Sequence, residues 1–266
     1  MKKCFVVFLA LLLLVTGAAL AEDDGSVQAI LDKGTLILGL DDSFPPMGYR
    51  DEDNNIVGFD IDVAKEVAAR LGVELVAQPI SWDAKELELS SGSIDCIWNG
   101  LSITPSRQES MSMTFAYLNN QIVVYTLADS GITSAADLAG KTVAVQNGSY
   151  AEELLTTDYA EQAAAFGDTL GFDDYLTALM DLQQGGCDAV LMDLVVGNFY
   201  INGMGAENIV NVDAIADDLY GIAFRKEDVA LCAKVEEILL EMKQDGTLAE
   251  ISSVWFGSDI TVVPAE

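Results

Sequence analysis

Ile94-Asp-Cys-Ile-Trp-Asn-Gly-Leu-Ser-Ile-Thr-Pro-Ser-Arg107 is the stretch on which the reading of this chain turns. Ile94 to Trp98 is a brief apolar run preceded by Gly92, which fits a buried parallel strand better than a helix. After Asn99-Gly100 the composition changes to hydroxyls, and Pro105 suits the first turn of a helix that Thr104 could cap. A strand leading through a polar loop into a helix start places donors at the carboxyl edge of a sheet, where open α/β sheets bind small ligands. Arg107 matters most, because a planar guanidinium grips a carboxylate with two parallel hydrogen bonds. Most helix arginines are simply solvated. This one is among only four in the chain and follows a hydroxyl-rich loop.

With 266 residues the natural expectation is two domains. An apolar content of 51% is ample for packed cores, and a formal charge of −30 argues against nucleic acid and against an anionic lipid surface. Residues 1–21 carry a basic start at Lys2 and Lys3, an apolar run from Phe5 to Val15, and small residues ending at Ala21. That is the pattern of a secretory signal, with cleavage expected between Ala21 and Glu22; an uncleaved anchor is the rival reading. No second apolar segment is long enough to span a bilayer, so a soluble exported protein is expected. Cys96, Cys187 and Cys232 are too few for a disulfide scaffold, and whether any two pair is left open. The chain has no histidine, which excludes Ser-His and Cys-His nucleophiles and histidine-ligated zinc. No cofactor, metal or catalytic group is expected.

Further along, strands are expected at Gly34–Leu40 and Val73–Ala77, and an amphipathic helix over Asp60–Leu71. Phe44 stands in the proline-rigid loop Asp41–Met47, as core or as an aromatic wall for a ligand. The acidic run Asp51–Asp62 resembles a calcium loop but has Ile56 at the glycine position and Asp62 in place of the closing glutamate, so Asp53-Asn54-Asn55 reads as a hairpin turn. Trp82 is expected exposed beside a helix cap. Phe115–Leu127 reads as extended, and a second series follows: a strand at Lys141–Val145, the loop Gln146–Tyr150 with N–H groups open to an anion at the helix start, a helix over Tyr175–Gln184, and a strand Cys187–Met192 that delivers Asp193. Asn198–Asn202 and Ile209–Val212 are expected to finish that series. Tyr220–Lys226 then reads as a strand and Val229–Lys243 as a helix.

Two βαβ series, with the first returning at the end, resemble the bacterial extracellular solute-binding proteins of family 3, which feed polar amino acids to ABC importers. The resemblance rests on landmarks in register along the mature chain: Phe44-Pro45-Pro46, Gly58-Phe59-Asp60-Ile61-Asp62, Gly100-Leu-Ser-Ile-Thr104 with Arg107, Gln146-x-Gly148-Ser149, Asp188-Ala189 with Asp193, Gly221-Ile-Ala-Phe224 and Trp255-Phe256-Gly257. It implies an α/β, two-lobed periplasmic-binding-protein fold, each lobe a mainly parallel sheet flanked by helices, the two joined by a two-strand hinge. Residues 22–116 with 221–266 would form lobe 1, 121–215 lobe 2, and 117–120 with 216–220 the hinge.

By the same resemblance, Arg107 would grip the ligand's α-carboxylate with Ser102, Ser149 and the backbone N–H groups near Gly100 and Ser102 assisting. Asp193 would hold the α-ammonium, and Phe44 and Trp82 would sandwich the side chain. Asp41, Asn99, Gln146 and Tyr150 would add specificity. Asp41, and the lack of a second nearby basic residue, argue against a dicarboxylic ligand and for a glutamine-, cystine-, arginine- or lysine-like one. The partners implied are that amino acid and a membrane permease, with a monomer expected in the periplasm or at the cell exterior and no nucleic-acid partner. Two rivals share the fold: a cyclohexadienyl dehydratase-like enzyme, and a sensor module, which would be expected to run on into a transmembrane helix.

Overall fold

The computed structural model describes residues 24–265. The expected signal at 1–21 lies outside them. Among the described residues one nine-stranded sheet runs in the order Asp168–Phe172, Thr142–Gln146, Ala189–Asp193, Leu118–Leu127, Ile209–Arg225, Cys96–Ser102, Thr35–Leu40, Glu74–Pro79, with Met111–Met113 paired to Ile209–Arg225. The pairs of Thr35–Leu40 with Glu74–Pro79 and with Cys96–Ser102 are parallel, as are those of Thr142–Gln146 with Asp168–Phe172 and with Ala189–Asp193. Two parallel blocks, each backed by helices, are thus the two lobes. Between them Leu118–Leu127 and Ile209–Arg225 run antiparallel, with Leu118 opposite Tyr220.

The sequence divided the second of these long strands into Ile209–Val212 and Tyr220–Lys226, whereas it is continuous over seventeen residues. Its middle, Asp213–Leu219, carries register shifts between Asn211 and Asp213 and again between Ala214 and Ala216. Each shift breaks the period-two alternation from which a strand is read. Asn198–Asn202 likewise belongs to a longer helix, Leu194–Met204. Asp51–Asp62 does turn a short hairpin, Gly48–Arg50 pairing with Ile56–Val57, and no cluster fit to hold a metal occurs among the described residues.

In the opening stretch the strand lies further on than its apolar run implied, taking in Asn99, Gly100, Leu101 and Ser102, which composition assigned to a loop. Cys96–Ser102 is buried along its whole length, flanked by strands on both sides. Thr104 then caps the helix Pro105–Ser110, its Oγ1 accepting from the N–H of Arg107 at 3.3 Å with Pro105 at the first position. Cys96, Cys187 and Cys232 are free and buried. Burial pushes the thiols of Cys187 and Cys232 up to about 12, so they behave as small hydrophobes.

Candidate functional site

The two parallel blocks bring the carboxyl ends of their strands to one cleft. Arg107, at the third position of its helix, folds its guanidinium back so that Nη1 donates to the carbonyl of Ser102 at 3.0 Å, while Nη2 donates across the cleft to the carbonyl of Gly148 at 3.3 Å. It is 4% exposed, and burial draws its pKa down. On the facing lobe Asp193 ends strand Ala189–Asp193 and stands at the N-cap of Leu194–Met204, yet its side chain makes no capping bond. Its Oδ1 instead accepts from the hydroxyl of Tyr220 at 2.6 Å and from Nδ2 of Asn120 at 2.7 Å. Arg107 and Asp193 line one small cavity of about 10 Å³, so the lobes meet closely here. They form no ion pair with each other among the described residues; the guanidinium is held by carbonyls and the carboxyl by Tyr220 and Asn120.

The same cavity is walled by Phe44, Trp82, Gly100, Ser102, Gln146, Ser149 and Tyr150. The rings of Phe44 and Trp82 are nearly parallel, 16° apart with centroids at 6.4 Å, a stacked pair at the cavity wall. Trp82 is not exposed as the sequence implied. It is 7% exposed, one side packed on Leu89, Ile94 and Ile97, so core and wall are two faces of one ring. Asp41 and Asn99 stand one layer back. Asp41 accepts from Ser43 and, at 2.7 Å, from Nε2 of Gln146 across the cleft; Asn99 accepts from the N–H of Asp41 at 3.1 Å.

Two expectations about donors need correcting. The N–H of Gly100 is taken by the buried carboxyl of Asp60 at 2.8 Å, and the phenol of Tyr117 donates to the same oxygen at 2.9 Å. Gly100 therefore shapes the wall rather than donating to it. Its φ is +58°, and a Cβ there would come within 2.7 Å of the Phe44 ring. At the start of helix Tyr150–Leu154, the N–H of Gly148 is held by the Glu152 carboxylate at 2.7 Å and the N–H of Glu152 by Ser149 Oγ at 3.1 Å, so those donors are already engaged.

Besides Tyr220, sequence reasoning missed four neighbours. Asn120 bridges Asp193 to a second buried carboxyl, Asp218, donating to it at 2.9 Å; Ser102 Oγ donates to that same oxygen at 3.0 Å. Tyr175 is buried beside Asp193, with its hydroxyl facing Asp193 and Ser149, while Gln146 Oε1 and Asn120 Oδ1 have no hydrogen-bond partner among the described residues. Buried polar atoms without partners are rare in a finished core, and that of Gln146 belongs to a residue of the cavity wall. The fourth, Lys85, is a second cation near Arg107, where the sequence implied none. It donates to the Gly148 carbonyl at 2.8 Å and lines the neighbouring cleft with Arg107 and Ser149. Asn120, Asp218 and Tyr220 carry no local motif; only the pairing of the two long strands brings them to Asp193.

A family model for the bacterial extracellular solute-binding proteins, family 3, matches residues 36–258. The chain is 31% identical over 241 residues to the L-cystine-binding protein TcyJ of Escherichia coli, covering 90% of this chain and 89% of the relative. It is also 31% identical over 223 residues to ABC transporter arginine-binding protein 1 of the same organism, covering 82% and 89%. Among solved structures it is similar to an ABC uptake transporter substrate-binding protein from Streptococcus pneumoniae with bound histidine. That match has a TM-score of 0.87 at 32% identity and covers 91% of this chain and all of the other.

Proposed function

The chain belongs to the bacterial extracellular solute-binding proteins, family 3, and from that premise we propose that it is the substrate-binding component of an ABC transporter, capturing a polar or cationic L-amino acid by lobe closure. The observation that carries this reading is the placement of Arg107 and Asp193, both buried, on opposite walls of one cavity without an ion pair between them. A zwitterion presents one anion and one cation at fixed separation, and out of water each charge-assisted bond counts for more. Because the two charges sit on different lobes, engaging both ends of the ligand and shutting the cleft are one event.

In this reading Arg107, helped by the hydroxyls of Ser102 and Ser149, takes the α-carboxylate. Asp193 takes the α-ammonium, and the Tyr175 hydroxyl supplies a further donor at that end. Phe44 and Trp82 hold the side chain, whose far end meets Tyr150 and the linked pair of Gln146 and Asp41, with Asn99 fixing Asp41 from behind. The acidic surroundings of the cavity support a glutamine-, cystine-, arginine- or lysine-like ligand over a dicarboxylic one. Within the described residues, the antiparallel pairing of the two long strands supports the division into one lobe of 22–116 with 221–266, another of 121–215, and a hinge of 117–120 with 216–220.

The protein acts as a monomer that hands its ligand to a membrane permease, exported by the leader at residues 1–21. We read it as a receptor and not an enzyme, since the carboxyl best placed for acid or base work, Asp193, is the one the ammonium requires. Calorimetry of the purified protein against the twenty amino acids, cystine and ornithine tests the reading. Micromolar or tighter binding of one polar or cationic member is the expected result; silence across the panel, or turnover of any member, would overturn it.

A further inference from the structure

Lys85 opens the helix Lys85–Ser91 and is 4% exposed, although a buried lysine normally has a carboxylate beside it. Among the described residues no carboxylate forms an ion pair with it. Its ammonium is held by two carbonyls, Trp82 at 3.2 Å on its own lobe and Gly148 at 2.8 Å on the other, and it stands 5.1 Å from the centroid of the Trp82 ring. Burial, then the nearby Arg107, pushes its pKa down to about 8. The facing loop is equally committed to this contact. Gly148 has φ +72°, and a Cβ there would come within 2.7 Å of Asp83 Cα and 3.2 Å of the Lys85 ammonium. The backbones of the two lobes thus touch at this point, and the carbonyl that receives Lys85 also receives Arg107.

A charge taken out of water is stable only where dipoles or aromatic faces replace its hydration. The Gly148 carbonyl belongs to the other lobe, so its bond to Lys85 requires the two lobes to be apposed as they are here. We propose that Lys85 is a latch on the closed state, a positioning residue that draws the Gln146–Ser149 loop onto the Trp82 wall and so sets how long the ligand is retained. The proposal rests on the ligand-capture reading above but adds a residue that need not touch the ligand. It gives Lys85 a kinetic signature: the latch forms after the ligand has entered, so it acts on escape and not on entry.

The test is stopped-flow or surface-plasmon kinetics with the amino acid found by calorimetry, on wild type, Lys85→Met and Lys85→Gln. Methionine keeps the stem packed on Trp82 and removes the charge; glutamine keeps one donor. Loss of a charge-assisted bond made only in the closed state should speed dissociation of Lys85→Met by roughly tenfold or more, with association within about threefold of wild type. Lys85→Gln should fall between, and serves alone if the methionine variant does not fold. Small-angle scattering with saturating ligand should show a larger share of the open form in both variants. Dissociation at the wild-type rate in the variants, or a change confined to association or to melting temperature, overturns the latch alone. A wild type that binds no amino acid overturns the ligand-capture reading, and the latch with it.

Discussion

The carboxyls of Asp193 and Asp218 share one amide donor: Asn120 Nδ2 lies 2.7 Å from the first and 2.9 Å from the second. Two buried acids around a single neutral donor repel each other, so the site holds a proton that a ligand's ammonium must displace. Burial first, and the Asp218 charge second, raise Asp193 to about 7. The groups facing the pair are the hydroxyls of Tyr220, Tyr175 and Ser102 and the guanidinium of Arg107, which favours ionisation of Asp218.

Ligand affinity should therefore depend on pH in a definite direction. On the alkaline side of this raised value the Asp193 carboxylate is ionised and receives the ammonium directly. Below that value each unit of acidification should weaken binding, approaching about tenfold per unit as binding comes to require loss of one proton. Calorimetry between pH 5.5 and 8.5 measures this. Asp218→Asn removes the neighbouring charge and should shift the break to lower pH; a profile flat across the range would dissociate Asp193 from the ammonium.

Arg107→Ala should abolish useful binding. Truncating one partner of a buried charged pair costs about 2–5 kcal/mol, or roughly 30- to several-thousand-fold in Kd. Arg107→Lys should recover little, because a point-charge ammonium cannot hold the carbonyls of Ser102 and Gly148 and also meet a carboxylate in the plane of a fork. Titration calorimetry, with circular dichroism to verify the fold, decides it; wild-type affinity in Arg107→Ala would remove the guanidinium from the site.

The parts of this arrangement legible in the sequence were those encoded locally. Thr104-Pro105 announces a helix start, and Arg107 three residues beyond the cap has its orientation fixed by that start. The strand that delivers Asp193 was visible as an apolar run with a terminal acid. Asp218 and Asn120 were not legible: Asp218 lies on a long strand whose bulges erase its alternation, and Asn120 is an ordinary polar residue on the strand beside it. Only the pairing of Asn120 with Asp218 across the two strands creates their role. Trp82 was misread for a related reason: beside a cap it looks exposed, and the burying surface comes from Leu89, Ile94 and Ile97 later in the chain.

Gly100→Ala should damage both fold and site. A φ of +58° costs a side-chain-bearing residue about 1–2 kcal/mol by itself. The added methyl would also lie 2.7 Å from Phe44 Cε1 and 3.1 Å from the Tyr220 ring, so Phe44 must leave its place opposite Trp82. The expected outcome is a lower melting temperature together with weaker ligand binding. A variant with lowered stability and wild-type affinity would show that Phe44 can move without cost to recognition.

The ligand-free protein should become more stable as pH falls from 8 toward 5, opposite to what acid does to most folds. Asp60 is fully buried, and desolvation outweighs the hydrogen bonds from Gly100 and Tyr117, raising it to about 7. Its folded pKa lies above its unfolded one, so its favourable contribution is complete below the unfolded value and is lost as pH rises through about 7; Asp193 works in the same sense. Self-repulsion in a chain of net charge −30 has the same sign, since acidification reduces it. Carboxylates lowered by their bonds, such as Asp245 at about 2, act in the other direction, but their contribution is lost only well below this window. Urea unfolding of ligand-free protein at pH 5 and pH 8 measures the difference, and Asp60→Asn should reduce it. Saturating amino acid should remove the share due to Asp193 and leave that of Asp60. Stability that declines steadily from pH 8 to pH 5 would mean that neither buried acid keeps its proton in the fold.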